Sequence, residues 1–252
     1  MTVSKSRLSV VLVTRNEEDR LRACLESVAW ADEIVVVDAE SEDKTATIAH
    51  EFTDRVVVRP WPGYAIQKNY AIDLATGDWA LSLDADEVVS AELAAEIGYV
   101  LAADGPADGY AVPRRNIFWG RWVRHGGLYP DHQVRLFRRT RGRFNALAVH
   151  ESVTVQGRVE RLVGHVEHRS YRDLSDFLAR ADRYATLAAE EAVARGRRVG
   201  IADFVLRPLG RFLGMYVVRR GFLDGWRGFL LASLYAYYVL IRTAKIWERT
   251  DA

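Results

Sequence analysis

Two runs of β-branched residues stand near the start of the chain, Leu8 to Val13 and Ile34 to Val37, and each gives way to a polar segment with apolar positions at helical spacing. Leu21, Cys24, Leu25 and Val28 follow the first, and Ala46, Ile48, Ala49 and Phe52 the second. A buried strand followed by an amphipathic helix is a βα unit, and its repetition predicts an α/β fold with a largely parallel sheet covered on both faces. The pattern goes on to predict a strand at Arg55 to Val58, a helix at Ala65 to Ala75, a strand at Trp79 to Leu83 and a helix at Ala91 to Leu101. Ligands in such sheets bind beyond the carboxyl ends of the strands. At those ends stand TRNEE (Thr14 to Glu18), DAESEDKT (Asp38 to Thr45) and DADE (Asp84 to Glu87), three polar tips on one rim.

From residue 104 to 127 glycine, proline, aromatic residues and arginine are mixed, a texture of strand and loop forming a wall over the rim. Trp119, Trp122, Tyr129 and His132 are rings able to pack within that wall. Gln133 to Arg139 alternates as a strand, VHESV follows at Val149 to Val153, and His165 to Tyr171 leads into a helix from Leu174 to Val193. The division expected is a sheet domain over residues 1–172 and a helical region over 173–252.

In that helical region Phe204, Leu209, Phe212, Leu213, Tyr216 and Val217 make an apolar stripe, with Arg207 and Arg211 on another side. Arg195, Arg197, Arg198, Arg219 and Arg220 flank it, the pattern of a basic amphipathic helix. After a break at Gly221 to Gly228, Phe229 to Ile241 is uncharged for thirteen residues, short of the about 20 that a spanning helix needs. The expectation is a helical pair lying in the cytoplasmic face of a bilayer, arginines toward anionic lipid and Trp226, Tyr235, Tyr237 and Tyr238 near headgroup depth. The same helices could instead pack on the sheet domain or on a partner subunit.

Composition narrows the classes. With 252 residues the chain can bury a good core, and 35 basic against 34 acidic residues leave a net charge of +1, so no global field recruits nucleic acid. Cys24, the one cysteine, excludes an internal disulfide and suits a reducing compartment. LSVVLV is too short for the core of a signal peptide, which points to the cytosol. Neither GxGxxG nor GxxxxGK[ST] occurs, against hydride transfer and against a P-loop nucleotidase.

The chemistry gathers at DADE. Asp84, Asp86 and Glu87 raise one another's pKa unless a cation neutralises them, and oxygen ligands suit Mg2+ or Mn2+. Alternatively, Asp84 starts a turn and Asp86 or Glu87 caps a helix beginning near Ser90.

LSVVLVTRNEEDRLRACLESV, EIVVVDAESEDKT and QKNYAIDLATGDWALSLDADE together resemble the nucleotide-sugar-binding half of family-2 inverting glycosyltransferases of GT-A fold. PDHQVRLFRR, AVHESV, HVEHRSY and GFLDGWRGFLLASLYAYY resemble the bacterial branch that glycosylates the lipopolysaccharide inner core. The resemblance implies transfer of a hexose from a nucleotide-diphosphate sugar, UDP-hexose first, to a hydroxyl of a membrane-held glycolipid, by metal-assisted single displacement. It implies an enzyme peripheral or monotopic on the cytoplasmic face of the inner membrane. A polyprenyl-phosphate acceptor and a membrane-bound scaffold without catalysis are the alternatives. Carried over, the resemblance puts Thr14, Asn16 and Glu17 at the nucleoside and Asp38 at base or ribose, with Asp43 and Lys68 lining the cleft. Asp84 touches ribose or metal, and Asp86 ligates the metal bridging the diphosphate. Glu151 is the base that takes the acceptor proton, or else an edge acid paired with Arg143 or Arg158. His168 completes the metal or diphosphate site, with His165 as its rival, and Arg135 and Arg138 clamp the diphosphate or an anionic acceptor. Trp119, Trp122, Tyr129 and His132 stack on sugar rings or close over the donor, or else pack within the wall.

Overall fold

The computed structural model describes residues 6–103, 105–145 and 152–251. The chain divides into two compact units, one of Met1–Arg114 with Asp131–His168, the other of Arg115–Pro130 with Arg169–Ala252. The hairpin around residue 120 therefore belongs with the helices that follow residue 168.

In the first unit the βα rhythm runs β1 (Leu8–Thr14), α1 (Leu21–Ser27), β2 (Glu33–Asp38), α2 (Thr45–His50), β3 (Val56–Val58), α3 (Tyr64–Leu74), β4 (Trp79–Asp84), β5 (Glu87–Val89) and α4 (Ala91–Ala103). Then come β6 (Gly109–Phe118), β7 (Arg121–Trp122), β8 (Asp131–Arg138), β9 (Gly142–Phe144), β10 (Val153–Val155), β11 (Val159–Arg161) and β12 (Val166–His168). β6 passes from the first unit into the second, and β7 pairs with its far end. The sheet order is β3-β2-β1-β4-β8-β6-β12-β5. β1 to β4 are mutually parallel, whereas β8 is antiparallel to β4 and to β6.

Strand periodicity sorts the core into two layers. Val10 and Leu12 on β1 and Leu81 and Leu83 on β4 face Leu21, Leu25, Leu93 and Ile97 of α1 and α4. Val11, Val35, Val37 and Ala80 point the other way, onto Ala71 and Ile72 of α3 and onto Phe137 of β8. Register carries the strand ends to one line: Thr14 lies opposite Asp38, and Val13 opposite Asp84.

Glu87 does not cap a helix. It opens β5 and is fully buried.

The second unit is helical. α5 (Leu174–Ala194) starts at Asp173, whose side chain accepts the Asp176 N–H at 2.8 Å. Phe177, Ala181, Ala185 and Ala189, four residues apart, form its buried stripe, while Leu187 is exposed. α6 (Asp203–Leu213) continues through a π-helical turn at Gly214–Val218 and a tight turn at Gly221–Asp224 into α7 (Gly225–Asp251). Phe204 meets Trp247 and Phe212 meets Phe229, so α6 and α7 run antiparallel. α7 has 27 residues, about 40 Å of helix. Residues 221–250 are long and apolar enough to cross a membrane, which the thirteen uncharged residues alone did not suggest. α7 is fastened to α5 by Lys245, whose Nζ donates to Thr186 Oγ1 at 2.6 Å and pairs with Asp182. α6 buries no residue at all.

Candidate active site

The rim of the parallel strands is tied together before any ligand arrives. Thr14 Oγ1 donates to Asp38 Oδ1 at 2.9 Å, and the Ser41 N–H and hydroxyl reach the same carboxylate at 2.8 and 2.6 Å. A carboxylate offers about four lone-pair positions, so Asp38, almost wholly buried, keeps one acceptor position in hand. Asn16, with φ of 54°, stitches the two loops by taking the Glu42 N–H on its side-chain oxygen and giving its own N–H to Ser41 Oγ. The Glu17 N–H goes to Thr45 Oγ1. Asp43 is also committed inside the loop: burial works against its charge, but hydrogen bonds from Thr45 and the Glu18 N–H outweigh that and hold its carboxyl below the usual range.

Behind the rim lies a charge network. Lys68, carried on α3, donates to Asp84 Oδ1 at 2.8 Å, and Arg135, carried on β8, donates to Asp84 Oδ2 at 2.7 Å. The second partner of Arg135 is Glu87 Oε1, and Glu87 Oε2 accepts the Asp84 N–H at 3.0 Å. Arg114 approaches Glu87 at 3.9 Å and closes on Asp131. Burial raises the Asp84 pKa, but Arg135 and Lys68 more than reverse this and hold it well below the usual carboxylate range. Burial likewise opposes charge on Arg135 and Asp131, and their partners win in both. The crowding of acids that pointed to a metal is thus met largely by protein cations. Cys24, fully buried with its thiol 3.6 Å from the Asp84 carbonyl, is pushed well up by burial and by the three carboxylates.

Asp86 stands apart from this network. Its Oδ2 has Arg20 Nη1 at 3.4 Å and His168 Nε2 at 3.5 Å, longer contacts than those of Asp84 or Glu87. β12 pairs with β5 so that His168 lies opposite Glu87, which brings the imidazole over the DADE turn. Among the described residues no group of three or more His, Cys, Asp or Glu side chains converges as a metal cage. Asp86 and His168 do fit as two neighbouring ligands of one ion, an oxygen and an imidazole nitrogen 3.5 Å apart, both partly exposed.

Arg135 and Arg138 are corrections. Arg135 is 5% exposed and held by Asp84 and Glu87, so it supports the acids from within and presents no fork to a diphosphate. Arg138 lies opposite Trp79, at the start of β4 and five residues from Asp84, and pairs with Asp108. Trp122, a ring that could stack on a sugar or pack within the wall, carries two guanidiniums over that ring, those of Arg115 and Arg124. Glu151 lies outside the described residues. The arginines offered as its pairing partners are engaged elsewhere, Arg143 by Asp73 and Arg158 by Glu160. The sequence reading did not single out Arg20, which reaches Asp86 from the loop before α1, or Gln67. The Gln67 amide is buried with neither atom partnered, next in sequence to Lys68.

The depressed pKa values fix a pH window. In the unfolded chain Asp titrates near about 3.9, whereas folded Asp84, Asp131 and Asp43 titrate lower. Each therefore adds stability at neutral pH that is lost as pH falls from the unfolded value through the folded one. Urea midpoints should be flat between pH 7 and pH 5 and drop below about pH 4. A midpoint declining steadily from pH 7 would contradict the assigned partners.

Residues 9–156 match the family model described as Glycosyl transferase family 2. The chain is 30% identical over 254 residues to the lipopolysaccharide core biosynthesis glycosyltransferase LpsC of Rhizobium meliloti, covering 98% of this chain and 94% of that one. An uncharacterized glycosyltransferase of Rickettsia typhi is 29% identical, covering 96% and 87%. Among solved structures, a mannosyltransferase from Pyrobaculum calidifontis in complex with GDP-Man and Mn2+ shares the fold, with a TM-score of 0.58 at 15% identity over 99% of this chain and 89% of that one.

Proposed function

The chain belongs to glycosyl transferase family 2, a glycosyltransferase of GT-A fold, and on that premise we propose that it moves a hexose from a nucleotide-diphosphate sugar to a hydroxyl of a membrane-held glycolipid with inversion at the anomeric carbon. The observation that carries this reading is the pairing of Asp86 with His168 beside the Asp38 and Asp84 strand ends. That arrangement offers one acceptor for a nucleoside and, beside it, two ligands for the cation that accompanies a diphosphate.

The roles follow from what each group has to spare. Asp38 takes a ribose hydroxyl or base N–H on its remaining lone pair, while Thr14, Asn16, Glu17 and Asp43 keep the nucleoside loops in shape. Asp84, steadied by Lys68 and Arg135, fixes the turn that presents Asp86. Asp86 and His168 would hold Mg2+ or Mn2+, which when bound supplies Lewis-acid stabilisation of the diphosphate leaving group. Glu151 takes the proton of the acceptor hydroxyl as its oxygen forms the new bond to the anomeric carbon and the bond to the diphosphate oxygen breaks.

The acceptor class is read from two features. The full-length relative is named for lipopolysaccharide core biosynthesis. The second unit also exposes Val205, Leu206, Leu209, Val218, Leu223 and Trp226, with Leu206 66% exposed. An apolar face of that size with arginines at its margin suits a protein lying on the cytoplasmic face of a bilayer.

Thermal shifts with UDP-, GDP- and CMP-sugars, each with and without Mn2+, identify the donor, and radiolabel transfer to extracted core glycolipid identifies the acceptor. Metal-dependent stabilisation by one donor class with transfer supports the reading; transfer unchanged by chelator would sink it. Glu151→Gln should cost about 100-fold in transfer to a hydroxyl while leaving donor affinity intact. Full activity in that variant would instead favour an acceptor already ionised, such as polyprenyl phosphate.

A further inference from the structure

β6 and β7 form a tight antiparallel ribbon in the second unit, with Ile117 opposite Trp122 and Phe118 opposite Arg121. The Val123 N–H bonds the Asn116 carbonyl at 3.1 Å and carries the register one residue further. One more step sets Arg115 across from Arg124, and like charges directly opposite on neighbouring strands repel. Both guanidiniums lie over the Trp122 ring, their central carbons 4.2 and 4.6 Å from its centroid, and Tyr129 meets the indole edge-on at 5.0 Å. Cation–π attraction offsets part of the repulsion. No carboxylate among the described residues pairs with either guanidinium, and the Arg115 Nε and Trp122 Nε1 donors are buried without a partner.

This pair is fastened to the exposed apolar turn. Asp224, the last residue of the turn before α7, accepts the Arg124 and His125 N–H groups at 3.3 and 2.7 Å and faces His125 Nδ1 at 3.1 Å. Its carboxylate is spent on the ribbon's backbone and the His125 ring. Gly126 adds a bond to the Arg219 carbonyl at 2.9 Å. Phe222, Leu223 and Trp226, in and just after the same turn, are exposed. Two forked donors lacking an anion are thus held beside apolar side chains lacking a cover.

We propose that Arg115 and Arg124 bind the phosphoryl group of an amphiphile whose apolar part lies against Phe222, Leu223 and Trp226. Phosphate offers acceptors to both forks and cancels their repulsion, and the apolar turn selects a phosphate joined to lipid over a free one. The inference rests on the membrane reading above. The same chemistry is carried by a bulk phospholipid headgroup and by a phosphorylated glycolipid acceptor.

The test is vesicle co-sedimentation of the full chain on phosphatidylcholine vesicles carrying either phosphatidic acid or an equal charge of oleate. Arg115→Gln/Arg124→Gln should weaken partition to phosphatidic acid about tenfold or more and to oleate by much less. Arg197→Gln/Arg198→Gln removes the same charge and should weaken both alike. Equal losses on both lipids in the first variant, or a loss on phosphatidic acid in the second variant as large as in the first, would reduce the effect to diffuse charge and overturn the proposal. Circular dichroism checks the fold, and Arg115→Lys/Arg124→Lys, which keeps the charge and loses the forks, serves if the first variant does not fold; it too should lose the preference for phosphatidic acid. If the unaltered chain binds no vesicle, the membrane reading fails by itself, and soluble dihexanoyl phosphatidic acid still decides the site. Tryptophan quenching that saturates and depends on both arginines supports it, and no binding, or binding no tighter than that of glycerol phosphate, overturns it. A raised KM for the glycolipid acceptor in the variant assigns the phosphate to the acceptor; an unchanged KM assigns it to the bilayer.

Discussion

Replacing Asp86 with alanine is expected to lower kcat about 1,000-fold while leaving the melting temperature within a few degrees of the parent, because several kcal/mol of leaving-group stabilisation are lost at tenfold per 1.36 kcal/mol. Asp86 is the acid least bound to the protein: its two contacts are 3.4 and 3.5 Å, where Asp84 is held at 2.7 and 2.8 Å. Its removal takes one long contact from Arg20 and one from His168 and breaks no short ion pair. Asp84→Ala should behave differently, since it leaves Lys68 and Arg135 facing each other with one carboxylate fewer, and both stability and activity should fall. Electron paramagnetic resonance of added Mn2+ separates the roles without turnover. Asp86→Ala should abolish tight binding in the presence of nucleoside diphosphate, and His168→Ala should weaken it. Unaltered Mn2+ binding in both variants would remove this pair as the cation site.

Local pattern was enough for the elements that build the rim. The β-branched runs at Leu8 and Ile34, the alternation from Trp79, and the polar tips after them located three strand ends that the register then brings side by side. What local pattern lacks is the identity of neighbours far along the chain. Glu87 is buried because Arg135 and Arg114 come to it from β8 and β6, and nothing within DADE says so. Arg135 and Arg138 look alike in QVRLFRR. Because β8 runs antiparallel to β4, three residues carry the second arginine away from the acids and onto Trp79, while the first is turned into them. The ring of Trp122 was legible as an aromatic in a wall, but its stacking with Arg115 depends on the register of a ribbon whose second strand is two residues long.

Arg135→Ala is the change with the largest expected effect on stability. Arg135 is a buried guanidinium shared by two carboxylates, one fully buried and one a third exposed. Breaking a buried ion pair by deleting one partner costs about 3–5 kcal/mol, because the charge left behind keeps its desolvation penalty and loses its compensation. For a chain of this length that corresponds to a fall in melting temperature of about 10 °C or more. Arg114, 3.9 Å from Glu87, is too distant to take over, and Lys68 is already drawn to Asp84 at 2.8 Å. If the cost lies in the stranded carboxylate, pairing the change with Glu87→Leu should recover a large part of it, and the double-mutant cycle should return a coupling of about 1–3 kcal/mol. Activity need not return with stability, since Glu87 also takes the Asp84 N–H and shapes the turn that presents Asp86. Calorimetric melting of the two single variants and the double variant decides the matter. Additive losses would mean that Arg135 and Glu87 do not act on each other and that the acids at the end of β4 are balanced by something else.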